Sequence, residues 1–334
     1  MNLELKFLDT TLRDGDHAVR HAFTREQVIG VAKGLEAAGV HYMEIGHGDG
    51  LGGSSIQYGR SVHDEFELIG AVAEHLHNTR LTVVVIPGIG TKDELRRAIG
   101  LGASAARVAT HCTEADLAQQ HIALAKAAGL EAMGLLMMAH TQPPDVILEQ
   151  ARLFESYGAD YVYILDSAGA MLPAQVREQI QPLKEQLRAK IGFHAHNNLS
   201  MAIANTVEAI RCGADIVDGT LRGLGAGAGN AQLEVLISVL HKMGHQTGID
   251  EFTLMDAAEE VVAPLMQHSL QIDKAALLLG HSGVYSTFLV HAYRAAEKYD
   301  VPVGDILVEV GKRGAVGGQE DMIIDVALEL ARKL

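Results

Sequence analysis

The sequence predicts a (β/α)₈ barrel followed by a C-terminal helical extension. Two observations carry that expectation. Eight short, β-rich apolar runs alternate with amphipathic stretches of helical spacing. Such alternation implies parallel strands joined by crossover helices, and eight units count to a closed barrel. Past about Asp250 the pattern turns helical throughout, with no strand signal of quality.

The apolar runs fall at residues 5–12, 41–46, 81–86, 106–110, 132–138, 161–165, 191–195 and 216–221. Helical spacing follows each, as at 25–38 and 202–211. Several helical stretches end in glycine before the next strand: Ala38-Gly39, Ile99-Gly100, Tyr157-Gly158 and Cys212-Gly213. Glycine tolerates the left-handed conformation that closes a helix. A doubly wound open sheet is the alternative architecture, and the strand count favours the barrel. In the extension, helices are expected over 253–270, 286–298 and 319–334. The expected division is a catalytic barrel over 1–250 and a helical unit over 251–334, with no low-complexity linker between them.

The 334 residues hold such a barrel, typically about 250 residues, with room for the extension. Hydrophobic residues make up 48% and charged residues 21%, an ordinary globular composition. Aromatics are 4% and Trp is absent, so the core must rest on Ala, Val, Ile, Leu and Met. Twenty-seven Lys and Arg against 42 Asp and Glu leave a formal charge of −15. Without a basic run, this argues against nucleic acid or an anionic membrane as partner. No apolar run approaches the ~20 residues that span a bilayer. The first residues lack the basic region and apolar core of a signal peptide. Cys112 and Cys212 form no CxxC pair. A reducing, cytoplasmic setting is the expectation.

Barrel chemistry sits where strands end and the following loops begin. The sharpest signal there is Phe193-His194-Ala195-His196-Asn197. Residues two apart on a strand share a face, so His194 and His196 point together toward the barrel mouth. Two imidazoles plus a carboxylate from another strand end make a divalent-metal site with positions open to substrate. The competing reading is a pair of histidines that only hydrogen-bond. Asp14, in Thr10-Thr11-Leu12-Arg13-Asp14-Gly15, is the candidate carboxylate. Its loop also carries Arg13, a cation able to stabilise an enolate, and His17, a side chain able to move a proton. A purely structural loop rarely needs all three.

Thr11-Leu12-Arg13-Asp14-Gly15, the HxHN segment and Gly225-x-Gly227-x-Gly229-Asn230 together resemble the aldolase–lyase superfamily that includes hydroxymethylglutaryl-CoA lyase and isopropylmalate synthase. Within it the chain is most similar to the 4-hydroxy-2-oxovalerate aldolases of aromatic meta-cleavage pathways. His47-Gly48-Asp49-Gly50-Leu51, Pro87-Gly88-Ile89-Gly90-Thr91, Arg107 to Asp116 and Gly317-Gly318-Gln319-Glu320-Asp321-Met322 share that likeness, which covers nearly the whole chain. The resemblance implies a lyase that splits a 4-hydroxy-2-oxoacid into pyruvate and an aldehyde such as acetaldehyde. It implies Asp14, His194 and His196 as ligands of a divalent metal, usually Mn²⁺, with Co²⁺ or Mg²⁺ as alternatives. Arg13 would contact the pyruvyl enolate and His17 would take the C4 hydroxyl proton. Tyr285 would reach in from the helical extension and orient the aldehyde end. Ser167 would lie near the pyruvate carboxylate. An acylating acetaldehyde dehydrogenase would be the partner in an oligomeric assembly, with the extension and the Val316-Gly317-Gly318 turn as docking or channel elements. Some relatives carry a second His where this chain has Asn197.

Other signals are weaker. The stretch 223–228 fits a loose GxGxxA dinucleotide pattern, yet it follows the eighth strand and no acidic residue closes a following strand. It is read instead as a tight loop over the mouth, with a helix starting near Asn230. Asn230 serves either as that helix's cap or as support for the metal. No Lys stands at a strand end inside the barrel after Lys6, which disfavours a Schiff-base aldolase. Cys112, His140, His281 and His291 are read as structural. Two alternatives differ in class: a related acyl-CoA lyase or condensing synthase, and a non-catalytic scaffold. The lyase would carry a Cys in the glycine-rich loop, and residues 225–230 hold none. A synthase would bring a longer C-terminal domain.

Overall fold

The computed structural model describes residues 4–266 and 270–333. Among them, eight strands close into a parallel barrel in sequence order: β1 (Lys6–Leu12), β2 (Tyr42–Ile45), β3 (Arg80–Val85), β4 (Ala105–His111), β5 (Glu131–Met137), β6 (Tyr161–Asp166), β7 (Lys190–Ala195) and β8 (Ile216–Gly219). The ring shuts where β1 pairs β8, Lys6 opposite Ile216 and Asp9 opposite Gly219. All eight expected runs became strands, with ends displaced by one or two residues.

Side chains of period two divide inside from outside. The barrel floor is apolar: Leu8, Tyr42, Ala105, Met133, Tyr161 and Ile216 form one inner cluster. Two residues further along several strands the interior turns polar, with Glu44, Arg107, Tyr163, His194 and Asp218 all buried. The outward faces pack on the helices. Val28, Val31, Ala32 and Leu35 of helix Arg25–Ala38 enter that larger core. Thr24 and Gln27 cap this helix reciprocally, a device worth roughly 1 kcal/mol.

Gly39, Gly158 and Gly213 take positive φ at helix ends as expected. Gly100 differs: it remains the last helical residue, and Gly102 makes the left-handed turn. Helix Lys92–Gly100 continues through Gly100 because Leu101 N–H still bonds to Ala98 O.

The extension departs from its expected helices. Residues 253–270 do not form one helix. Helix Glu251–Asp256 widens into a π turn over Ala257–Val262 and ends in a 3₁₀ turn, Ala263–Leu265. Pro264, without an N–H, cannot continue the ladder; residues 267–269 lie outside the described residues. Leu254, Ala257, Ala258 and Val262 belong to the barrel's outer core. Four helices then follow: Lys274–Ser282, Phe288–Tyr299, Val303–Lys312 and Asp321–Ala331. They build a separate core around Leu279, Phe288, Ile306, Val310, Ile323 and Val326, which reaches Met138 and Ala168 at the barrel mouth. Two of these helices match the expected 286–298 and 319–334 within a few residues, and Leu334 lies outside the described residues. Among the described residues, no helix is long and apolar enough to cross a membrane.

Candidate metal centre and active site

β1 ends in a tight turn, where Arg13 N–H and Asp14 N–H both bond to Thr10 O. The short helix Gly15–Ala18 follows and carries His17. Across the barrel, β7 delivers His194. His196 stands one residue past the strand end, its backbone bridged to Asn230. The turn and the strand end meet. Asp14 Oδ2 lies 3.6 Å from His194 Nε2 and 3.4 Å from His196 Nε2. All three side chains are buried, and their ligand atoms fall within 4.8 Å of one another.

The electrostatics of this trio suit a cation. Asp14 Oδ2 has no hydrogen-bond partner among the described residues. Burial would raise the Asp14 carboxyl, yet His196, Arg13 and His194 hold it well below its usual range. Burial pushes His196 down to about 4, so its ring is neutral and able to ligate. Burial also opposes protonation of His194, but the bond to Asp218 and the neighbouring Asp14 carboxylate prevail and raise it. Asp218 Oδ2 accepts from His194 Nδ1 at 3.1 Å, which leaves Nε2 facing Asp14. A carboxylate that fixes the far nitrogen is the usual support of a metal-ligating histidine. One orphaned carboxylate oxygen and two imidazoles opening on a cavity fit a divalent ion with sites left for substrate.

Around the trio lies a cavity of about 510 Å³. Arg13, Asp14, His17, Ser167, His194, His196 and Tyr285 all line it. Arg13 is anchored by Nε donating to Glu44 Oε1 at 2.6 Å and lies 3.7 Å from Asp14. His17 packs against Gly48, where a Cβ would come within 2.6 Å of its ring. Tyr285 arrives from the helical unit, 5.7 Å from the Phe288 ring and facing Gly317. Ser167 Oγ accepts from Met138 N–H at 3.1 Å, which leaves its own proton to donate.

Four residues that shape the site were given no role by sequence reasoning, although Asn198 was noted at the end of strand seven and Arg107 within a family-like segment. Glu44, Arg107 and Asp218 form the charged layer beneath the rim. Asn198 ties three loops together: Nδ2 donates to Ala168 O at 2.9 Å and Ser286 Oγ at 2.8 Å, and Oδ1 accepts from Ala228 N–H at 2.9 Å. A charge in the middle of a strand buried on both sides was the available signal for the first three.

The glycine-rich stretch lies over the mouth, Ala226 N–H pointing at Asp14 Oδ1 at 3.4 Å. Its helix starts later than expected, at Leu233 with Gln232 as cap, so Asn230 caps nothing. Asn230 instead donates to Leu224 O at 3.3 Å and sits beneath Gly225, where a Cβ would strike its amide. A second cluster, Asp16, His21 and His47, lies beside the first. Its atoms already have partners: Asp16 Oδ2 accepts from His21 Nδ1 at 2.7 Å and Gly48 N–H at 3.2 Å. His47 Nδ1 accepts from Asp49 N–H at 3.0 Å and Nε2 donates to Gly59 O at 3.1 Å. With the His21 and His47 rings stacked at 4.0 Å, this cluster braces the loop behind His17.

Residues 4–261 match the HMGL-like family, and residues 270–332 match the DmpG-like communication domain. A protein of Carboxydothermus hydrogenoformans named 4-hydroxy-2-oxovalerate aldolase is 55% identical over 332 residues, 99% of each chain. One of Moorella thermoacetica with the same name is 54% identical, over 98% of this chain and 97% of its own. Among solved structures, the carboxyl transferase domain of Rhizobium etli pyruvate carboxylase superposes with a TM-score of 0.81 at 15% identity, covering 99% of this chain and 60% of that one. The HMG-CoA lyase of Bacillus subtilis gives 0.70 at 20% identity, covering 79% and 95%. These two likenesses concern the fold. Sequence identity over the full length carries more: the chain belongs to the 4-hydroxy-2-oxovalerate aldolase family, within the HMGL-like barrels.

Proposed function

We propose that this chain is a divalent-metal-dependent aldolase that cleaves 4-hydroxy-2-oxopentanoate, or a close 4-hydroxy-2-oxoacid, to pyruvate and an aldehyde such as acetaldehyde. The observation that carries this reading is the gathering of Asp14, His194 and His196 in one cavity with Arg13 and His17. Asp14, His194 and His196 would hold the ion, with Mn²⁺ the favoured metal. When bound, a divalent cation supplies a Lewis acid for the 2-keto acid end of the substrate.

The chain's own residues do the rest. His17 takes the proton of the C4 hydroxyl. The C3–C4 bond breaks, its electrons leaving pyruvate as the enolate and C4 as the aldehyde carbon. The Arg13 guanidinium, held by Glu44, offsets the enolate charge. A proton returned to C3 completes pyruvate. Ser167 donates toward the substrate carboxylate, and Tyr285 orients the aldehyde end. The barrel unit, 1–250, carries the chemistry. The helical unit, 251–334, serves as the surface for an acylating acetaldehyde dehydrogenase that consumes the aldehyde; the match of residues 270–332 to a communication domain supports this.

The test is reconstitution. Metal-stripped protein should release no pyruvate from 4-hydroxy-2-oxopentanoate, and added Mn²⁺ should restore release. His196→Ala should lose metal affinity, while His17→Ala should keep the metal and lose turnover by roughly 10²–10⁴-fold. Pyruvate release that ignores metal would sink the reading.

A further inference from the structure

The two sides of the site are joined by one buried chain of charge. Arg13 Nε donates to Glu44 Oε1 at 2.6 Å. Glu44 Oε2 accepts from Arg107 at 3.0 Å. The other terminal nitrogen of Arg107 donates to Asp218 Oδ2, and that same oxygen accepts from His194 Nδ1 at 3.1 Å. Arg107, Glu44 and Asp218 are buried and do not line the cavity. Arg107 also rests over the Tyr163 ring, 4.6 Å from its centroid. Gly192 makes room for that ring, since a Cβ there would come within 2.4 Å of it.

We propose that Arg107 is a positioning residue for both halves of the reaction: through Glu44 it holds Arg13, and through Asp218 it fixes the ring of His194. The proposal rests on the reading of His194 as a metal ligand and Arg13 as the enolate's partner. A planar guanidinium reaches two carboxylates at once from a fixed fork, which a lysine ammonium cannot reproduce. The chain of four is also neutral in sum, the Arg13 and Arg107 guanidinium groups against the Glu44 and Asp218 carboxylates.

The experiment uses the full-length protein, stripped of metal, as native, Asp218→Asn, Glu44→Gln and Arg107→Lys forms. Two affinities are read: Mn²⁺ by titration calorimetry, and oxalate, a planar mimic of the pyruvate enolate, at saturating Mn²⁺. Asp218→Asn should weaken Mn²⁺ about 10- to 100-fold and largely spare oxalate. Glu44→Gln should do the reverse. Arg107→Lys should weaken both, with a matching rise in KM and fall in kcat. A folded Arg107→Lys protein with both affinities native overturns the proposal. So does a pair of carboxylate variants that lower the melting temperature without separating the two affinities. If Arg107→Lys does not fold, the double variant Glu44→Gln/Asp218→Asn decides. Its affinities should depart from the product of the single effects by roughly threefold or more, because Arg107 links the two carboxylates; independent effects overturn the link. Native protein that binds no Mn²⁺ would instead remove the metal reading on which the inference stands.

Discussion

The barrel and the helical unit are built on opposite plans. The barrel encloses charge: Asp9, Glu44, Arg107, Asp166 and Asp218 have no exposed surface to speak of. Among the described residues beyond 270, buried polar side chains come to Ser286 alone, set in a core of Leu, Ile, Val, Ala and Phe. Isolated buried charge is costly unless paired, so the barrel's interior has to be specified atom by atom. The apolar core of the helical unit demands volume and little else. The difference teaches where precision was needed. In the proposed reaction the barrel places the reacting groups, whereas the helical unit supplies a cover and one aromatic ring, Tyr285.

That contrast can be broken by experiment. Phe288→Ala removes the largest fully buried side chain of the helical core and should destabilise that unit by about 3–5 kcal/mol. Hydrogen exchange should show lost protection over residues 274–331 while the amides of β4 to β7 stay protected. Equal loss in both would mean one cooperative unit and erase the distinction. Asn198→Ala tests the clasp between them. It leaves Ala228 N–H, Ala168 O and Ser286 Oγ short of a partner, at about 1–3 kcal/mol for a buried group. Thermal melts should fall accordingly, and KM should rise more than kcat falls as Tyr285 shifts.

The smallest effect sharpens the picture of the barrel floor. Burial pushes His41 down to about 4, and its Nδ1 accepts from Phe7 N–H at 3.3 Å. The unfolded chain binds this proton near 6.5 while the folded barrel refuses it until about 4. Stability from His41 is therefore present above pH 6.5 and lost as pH falls through that window. Discounting its partial exposure, the contribution is on the order of 1 kcal/mol. His41→Asn, which keeps an acceptor, should flatten the fall in melting temperature between pH 7 and 4. An unchanged slope would show that His41 does not titrate this way.

The rim was legible because a rim has simple rules. Period two placed His194 and His196 together, and the strand count put Asp14 on the same edge. The layer below was not legible, since Glu44, Arg107 and Asp218 each interrupt an apolar run only once. Nothing local says that three such interruptions, 63 and 111 residues apart, meet. Helices Lys274–Ser282 and Val303–Lys312 escaped for another reason. Their glycines lower helical propensity, yet Gly311 is where the two helices touch: a Cβ there would lie 2.4 Å from Ser282 O. A residue that reads as a breaker in one dimension is a close contact in three.

Gly192 has the same double nature, with a heritable consequence. It contributes no atom to the reaction, yet a single added methyl would displace Tyr163, and with it the shelf under Arg107. Tolerance to mutation should therefore not decay smoothly with distance from the proposed metal ligands. Along β7 and the residue just past its end the least replaceable positions alternate, 192, 194 and 196, so a codon for the smallest residue is as constrained as those for the two histidines.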